Sequence, residues 1–258
     1  METTVINEMF NINNKNILII GGAGGIGRGL ALALVKCGAN IIIGDIKYSK
    51  ALTVKREIED LNKTCLAFKV DVVSLNSVLQ MVESILKKVN KIDVLIYCTG
   101  INIRKSALEM SEDDWEKVID TNLKGAFFCN KAVGKIMIKQ GGGKIINIAS
   151  VAAERGHPNM VAYTASKGGL VLLTKSLAVE WAKYNVNVNA VGPGYIETPL
   201  TKELLLNKKV YNNIIEKIPM KRLAKIDDLI GAILLLSSDA SNYITGHVLF
   251  IDGGKLAD

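Results

Sequence analysis

The stretch Tyr163-Thr164-Ala165-Ser166-Lys167 puts a phenol and an amine four residues apart. On a helix that spacing makes them neighbours on one face. A free tyrosine titrates near ~10 and is a poor base at neutral pH. An adjacent ammonium favours the phenolate, and each unit of lowering takes about 1.4 kcal/mol of such stabilisation. A phenolate held in that way could take the proton of an alcohol. Chance Tyr/Lys pairs at helical spacing are frequent, so the pair acquires meaning only from its company. Ser150 lies thirteen residues earlier, at the end of a predicted strand, and Asn122 sits in Asp120-Thr121-Asn122-Leu123-Lys124-Gly125. Taken singly, Ser150 reads equally as a strand-end hydroxyl and Asn122 as a helix-bending amide.

A second group of residues suits an anion rather than a proton. Gly21, Gly25 and Gly27 fit G-x-x-x-G-x-G within Gly21-Gly22-Ala23-Gly24-Gly25-Ile26-Gly27. Glycines let a chain turn sharply and let a pyrophosphate rest on bare main chain, with Ile26 in the same cradle. The helix that follows offers unpaired N–H groups and partial positive charge. A tight structural turn is the other reading of a glycine cluster. The strand before it, the helix after it and Asp45 at the next strand end favour a dinucleotide site. Asp45 would accept hydrogen bonds from the adenosine ribose hydroxyls and repel a 2′-phosphate, which predicts NAD over NADP. Arg28 and Lys47 nearby leave NADP open, and Asp45 could instead cap the next element. Asp71, with Val72 after it, could reach the adenine ring; a plain turn acid is the alternative. The positive charge of an oxidised nicotinamide would add to the stabilisation of a Tyr163 phenolate.

These residues need a frame. Short β-branched, near-continuously apolar runs occur at 16–20, 40–43, 65–70, 92–98, 144–148, 186–191 and 247–251. Helical patterns follow the glycine cluster and fill 50–61 and 74–89, the latter with Val78, Met81, Val82 and Ile85 on one face. Apolar strands alternating with helices predict an α/β fold: a doubly wound parallel sheet of the Rossmann type with helices on both faces, in three αβα layers. No Pro-rich, Ser-rich or charge-rich linker divides the 258 residues, so a single domain over 1–258 is expected.

Composition narrows the function classes. The net charge is +7, but the basic residues are mostly lysines interleaved with acids, and the densest clusters, Lys208-Lys209 and Lys221-Arg222, are too short for a basic arm. Nucleic acid is therefore not expected as a partner. Cys37, Cys65, Cys98 and Cys129 form no C-x-x-C pair and have no histidine at ligand spacing, so neither a metal nor a disulfide framework is expected. Residues 1–16 carry Glu2 and Glu8 without a long apolar run, and no apolar run approaches the ~20 residues of a membrane span. A reduced, cytoplasmic location without membrane attachment is the expectation.

Taken together, the glycine turn, Asn122, Ser150, Tyr163 with Lys167, and Pro193-Gly194 resemble the short-chain dehydrogenase/reductase superfamily over essentially the whole chain. The resemblance implies a catalytic tetrad. Tyr163 would be the acid/base and Ser150 would polarise the substrate oxygen. Lys167 would hold the nicotinamide ribose and lower the Tyr163 pKa. Asn122 would hold a water in a proton relay to Lys167. In Gly192-Pro193-Gly194-Tyr195-Ile196-Glu197-Thr198 the resemblance places Pro193 and Gly194 beside the nicotinamide, with the Ile196 backbone and Thr198 hydroxyl on its carboxamide. It makes residues 199–219 a mobile substrate lid, and it implies a homotetramer packed through residues 243–254.

Within the family, Gly100-Ile101-Asn102-Ile103-Arg104-Lys105, Gly192-Pro193-Gly194-Tyr195 and the closing Gly246-His247-Val248-Leu249-Phe250-Ile251-Asp252-Gly253-Gly254 are similar to gluconate 5-dehydrogenases and related sugar-acid dehydrogenases. A substrate carboxylate would want a cation. Arg104 is the first choice, because arginine suits bidentate carboxylate binding, and Arg155 and His157 are the second. Arg104 could also be a solvated loop cation. A 3-oxoacyl-[acyl-carrier-protein] reductase is the alternative enzyme, and a non-catalytic dinucleotide-binding sensor the alternative of another class. Two departures stand out. Ile20 replaces the threonine usual before the first glycine, and Tyr97-Cys98-Thr99-Gly100 replaces Asn-Asn-Ala-Gly. Losing both partners of a buried hydrogen bond can be nearly neutral where losing one is costly, so the two departures are expected to be coupled.

Overall fold

The computed structural model describes residues 3–198, 201 and 206–257. A short helix α1 (Thr3–Met9) leads into β1 (Asn16–Ile20), α2 (Gly25–Lys36), β2 (Asn40–Asp45), α3 (Tyr48–Glu59), β3 (Cys65–Lys69), α4 (Leu75–Leu86) and β4 (Val94–Tyr97). Then come α5 (Glu112–Ile119), a π-turn (Asp120–Lys124), α6 (Gly125–Gln140), β5 (Gly143–Ile148), α7 (Val161–Trp181) and β6 (Val186–Pro193). The chain ends with α8 (Lys208–Glu216), α9 (Asp227–Ser237) and β7 (Val248–Ile251). The predicted strands are all present, with no end shifted by more than two residues. At the start of the expected helix 74–89, Ser74 stays outside α4 because its hydroxyl accepts the Ser77 N–H as an N-cap.

The seven strands form one parallel sheet in the order β3-β2-β1-β4-β5-β6-β7. The order reverses direction between β1 and β4, and the crevice outside the carboxyl ends of those strands is where such sheets bind ligands. Alternation along β1 divides the core. Ile17 and Ile19 join Leu30, Leu34, Val54, Ile58, Leu229 and Ile233 under α2, α3 and α9. Leu18 and Ile20 join Val78, Val82, Val133, Leu170 and Leu177 under α4, α6 and α7. Both faces of the strands are covered, which is why they read as continuous apolar runs. The fold is thus the expected three-layer, doubly wound single domain.

Among the described residues no helix is long and apolar enough to cross a membrane. All four cysteines are free, with Cys65 and Cys129 buried.

Candidate active site

Every residue expected to do chemistry follows the carboxyl end of a strand or stands on an element packed there. The turn after β1 is shaped by missing side chains. Gly21 and Gly25 take φ of +78° and +42°, conformations glycine adopts without steric cost. A Cβ on Gly27 would lie 2.3 Å from the Gly21 carbonyl oxygen, and one on Gly21 would lie 2.8 Å from Thr99 Oγ1. At Gly24 a Cβ would meet nothing within 4 Å, so the turn is open on that side. Gly24 is also the N-cap of α2, with no side-chain cap and no acid in the first turn. The first N–H groups of α2 and its positive end therefore carry no internal anion, and the residues present fit a pyrophosphate.

Asp45 closes β2 beside this turn. Its Oδ2 accepts the Ala23 N–H at 3.1 Å and its Oδ1 accepts the Lys47 N–H at 2.9 Å. The two readings of Asp45 are therefore compatible: it caps the following turn and also faces the glycine loop. Each carboxylate oxygen has a further lone pair for a ribose hydroxyl. Arg28 is held by Glu57 at 2.7 Å. Asp71 makes the local turn that was its alternative reading, accepting the Val73 N–H at 3.0 Å. Val72 is buried in the core, its side chain packed where a Gly125 Cβ would stand. Its side chain thus serves packing, which leaves main-chain atoms for any contact with adenine. Ile26 packs partly against the core under α2.

The four tetrad positions are carried by the π-turn, the loop after β5 and α7. Lys167 is buried, and its Nζ donates to the Ile148 carbonyl at 2.7 Å, tying α7 to the last residue of β5. The same ammonium stands 5.7 Å from the centroid of the Tyr163 ring. Asn122 is fully buried in the π-turn. Its Oδ1 accepts the Ile101 N–H at 2.8 Å, and its Nδ2 donates to the Ile101 carbonyl at 2.9 Å and to Ser166 Oγ at 3.0 Å. Ser166 Oγ donates onward to the Tyr163 carbonyl at 2.7 Å. A Cβ on Gly100 would sit 3.4 Å from Lys167 Nζ and 3.5 Å from Asn122 Oδ1, so those two atoms flank one bare backbone position. Ser150 lies two residues past β5, where its Oγ accepts the Ala152 N–H at 3.1 Å.

The electrostatics differ from the sequence expectation at one point. Lys167 was expected to lower the Tyr163 pKa. Instead, burial raises the phenol above its ordinary value, the Ser150 hydrogen bond and the Arg104 charge pull it down, and Tyr195 pushes it up. Desolvation of the charged form outweighs the neighbouring charge. Lys167 is itself lowered by burial to about 8.

On the other flank, Pro193 ends β6. A Cβ on Gly194 would come within 3.0 Å of Asp252 Cα, so glycine there permits close approach to the end of β7. Ile196 is buried and bridges Ala224. The Thr198 hydroxyl is 3.4 Å from that of Thr201, which donates to the Ile196 carbonyl at 2.6 Å. Of the expected lid, residues 199, 200 and 202–205 lie outside the described residues; α8 forms part of the remainder. A cavity of about 360 Å³ beyond Gly194 and Tyr195 is lined by Ile218, Met220, Phe250 and Gly253 and by none of the tetrad.

Arg104 is exposed, and its charge bears on both Tyr163 and His157. Burial lowers the His157 pKa first, followed by the charges of Arg155, Lys255 and Arg104. Arg155 Nη1 donates to the Lys255 carbonyl at 3.0 Å, and Lys255 Nζ donates to the Lys217 carbonyl at 3.0 Å. The three substrate-side residues are thus electrostatic neighbours. Lys255 is an addition the sequence offered no signal for. Ser166 could have been suspected, since it lies inside the Tyr163–Lys167 segment.

Over residues 21–255 the chain matches the family described as enoyl-(acyl carrier protein) reductase. It is 38% identical over 243 residues to the 3-oxoacyl-[acyl-carrier-protein] reductase FabG of Thermotoga maritima, covering 94% of this chain and 98% of that one. It is also 38% identical over 251 residues to the 5-keto-D-gluconate 5-reductase of Escherichia coli K12, covering 97% and 99%. A solved gluconate 5-dehydrogenase from Burkholderia cenocepacia J2315, in complex with NADP and tartrate, superposes with a TM-score of 0.95 at 34% identity, covering 98% of this chain and 99% of that one.

Proposed function

The chain belongs to the short-chain dehydrogenase/reductase family and is an NAD(P)-dependent oxidoreductase acting on CH–OH groups; on that premise we propose that it interconverts a sugar acid of the gluconate type and its 5-keto form, with NAD preferred. The observation that carries the substrate class is the Arg104 charge acting on the Tyr163 phenol and on His157. A cation beside the acid/base suits a substrate with a carboxylate a few atoms from the reacting carbinol. Names of the relatives point the same way.

When bound, the nicotinamide supplies the acceptor or donor of hydride at the carbinol carbon. The chain's own residues do the rest. The open N-terminus of α2 and Gly21, Gly25, Ile26 and Gly27 hold the pyrophosphate. Asp45 takes the adenosine ribose, and its carboxylate disfavours a 2′-phosphate; Arg28, engaged by Glu57, does not offset it. Asp71 and Val72 border the adenine. Pro193, Gly194, Ile196 and Thr198 orient the carboxamide. In the oxidative direction Tyr163 Oη takes the alcohol proton, and in reduction it returns it. Ser150 Oγ hydrogen-bonds the same substrate oxygen and, with Arg104, favours the phenolate. Lys167 binds the nicotinamide ribose, and Asn122 holds the relay water. Arg104 receives the carboxylate, with Arg155 and His157 beside it.

A second reading has specific support: identity to the FabG of Thermotoga maritima equals that to the ketogluconate reductase. It would make the substrate a 3-oxoacyl thioester. Assembly of all four tetrad positions argues against a sensor without catalysis. A homotetramer is our reading of the assembly, supported by apolar side chains left outward on α7, Leu172 at 65% and Val179 at 83% exposure; light scattering in solution tests it.

An initial-rate screen with gluconate, 2-deoxygluconate, neutral polyols and an acetoacetyl thioester, each with NAD or NADP in the matching redox state, decides among these. Turnover of a sugar acid with NAD is expected, with kcat lowered about 10²- to 10⁴-fold in Tyr163→Phe, the usual range for a general acid/base. Turnover of the thioester alone with NADPH would replace both the substrate and the cofactor preference.

A further inference from the structure

Beside the tetrad stands a buried phenol that the tetrad does not use. Tyr97, the last residue of β4, is fully buried in the core under α4, α6 and α7. Its Oη does not reach solvent or the neighbouring strand. It crosses to the helical run 112–140 and donates to the Thr121 carbonyl at 2.5 Å. Thr121 stands immediately before Asn122, inside the π-turn that joins α5 to α6.

That turn is where the helix is least self-sufficient. In a π-turn the backbone donor lies five residues on instead of four, as in the Gly125 N–H to Asp120 carbonyl bond that closes it. The register of the carbonyls is shifted there, and a donor from outside the helix can hold the widened geometry. The surroundings are cut to admit the phenol. A Cβ on Gly125 would fall 2.8 Å from Tyr97 Oη and 2.8 Å from Val72 Cγ2. Burial raises the Tyr97 pKa well above its ordinary value, so the group remains an O–H donor across the working range.

We propose that Tyr97 is a positioning residue for the reaction: its phenol pins the Thr121 carbonyl and thereby sets the π-turn that presents Asn122 to Ile101, Ser166 and Lys167. The proposal rests on the assignment of Asn122 to the proton relay. It also gives a role to one of the two departures from the family's usual residues, since the side chain at position 97 is a donor aimed at the helix instead of a partner for position 20.

The test is a double-mutant cycle of Y97F and N122A, assayed with NAD and gluconate, or with NADPH and acetoacetyl thioester if that is the pair turned over. Removing one buried hydrogen bond should lower kcat about tenfold, while KM for cofactor and substrate stays within about twofold. In the N122A background Y97F should change kcat no further, because the two act as one unit. Unchanged kcat in Y97F, or a full additional loss in the N122A background, overturns the role of Tyr97 while leaving Asn122 in place. Undiminished kcat in N122A removes Asn122 from the machinery and this proposal with it. Gly125→Ala, which crowds the Tyr97 oxygen yet keeps the phenol, should reproduce the kcat loss and its absorption by N122A if Y97F does not fold. Loss of the fold in both variants overturns the proposal by making the contact a determinant of folding.

Discussion

The turn after β1 and the wall behind Tyr163 both lie at the carboxyl ends of the sheet's strands and are held by opposite means. The turn depends on what is missing: no Cβ at Gly21, Gly25 or Gly27, no side-chain cap on α2, open space at Gly24. The wall depends on what is present: Asn122 with three hydrogen bonds, Ser166 passing one on to Tyr163, Lys167 anchored on Ile148. A turn made of bare backbone tolerates no added atom where its own chain closes in, at Gly21 and Gly27. A site made of buried polar groups tolerates no lost partner. The same contrast explains the charges, since the turn offers partial positive charge at little desolvation cost, whereas burial in the wall shifts both Tyr163 and Lys167 toward their neutral forms.

The comparison is broken most sharply at Gly27. A methyl group 2.3 Å from the Gly21 carbonyl forces the turn apart, and Gly27→Ala should cost about 1–3 kcal/mol of stability or of NAD binding. Thermal unfolding together with cofactor titration reads both, and wild-type values in both would refute the close-packed turn. Asp45→Ser removes a charged acceptor, worth about 10- to 100-fold in the ratio of kcat/KM for NAD over NADP. An unchanged ratio would remove Asp45 from cofactor choice. Arg104→Ala should raise KM for gluconate about tenfold while leaving a neutral polyol within twofold; equal effects on the two substrates would place Arg104 outside the site. The smallest effect is expected at Ile20, which pairs with Tyr97 across β1 and β4 and is fully buried with it. Ile20→Thr brings in a hydroxyl without its former partner, so melting temperature should stay level or fall, by an amount equivalent to about 1–3 kcal/mol at most. A clear rise would show that the two departures are not coupled.

Legibility in the sequence followed the same division. The strands and the glycine turn could be read from residue order, because apolar alternation and backbone freedom act over a few residues. The tetrad could be read only through spacing shared with a family. Its charge balance could not, and the expectation that Lys167 lowers the Tyr163 pKa gave way to burial, a property of packing. Asp71 and Val72 show the limit from the other side: a place at a strand end does not reveal that Asp71 also holds its own turn or that the Val72 side chain lies in the core.

By itself the sequence determined the order of the seven strands, the glycine turn after the first of them and the helix carrying Tyr163 and Lys167. Each of these rests on local periodicity or on residues three or four apart. The tertiary structure alone decided that Tyr97 reaches Thr121, that Asp45 ties down Ala23, and that Arg104 and Lys255 bear on His157. Those contacts join residues distant in the chain, and their geometry depends on sheet register and helix docking, which no local propensity encodes.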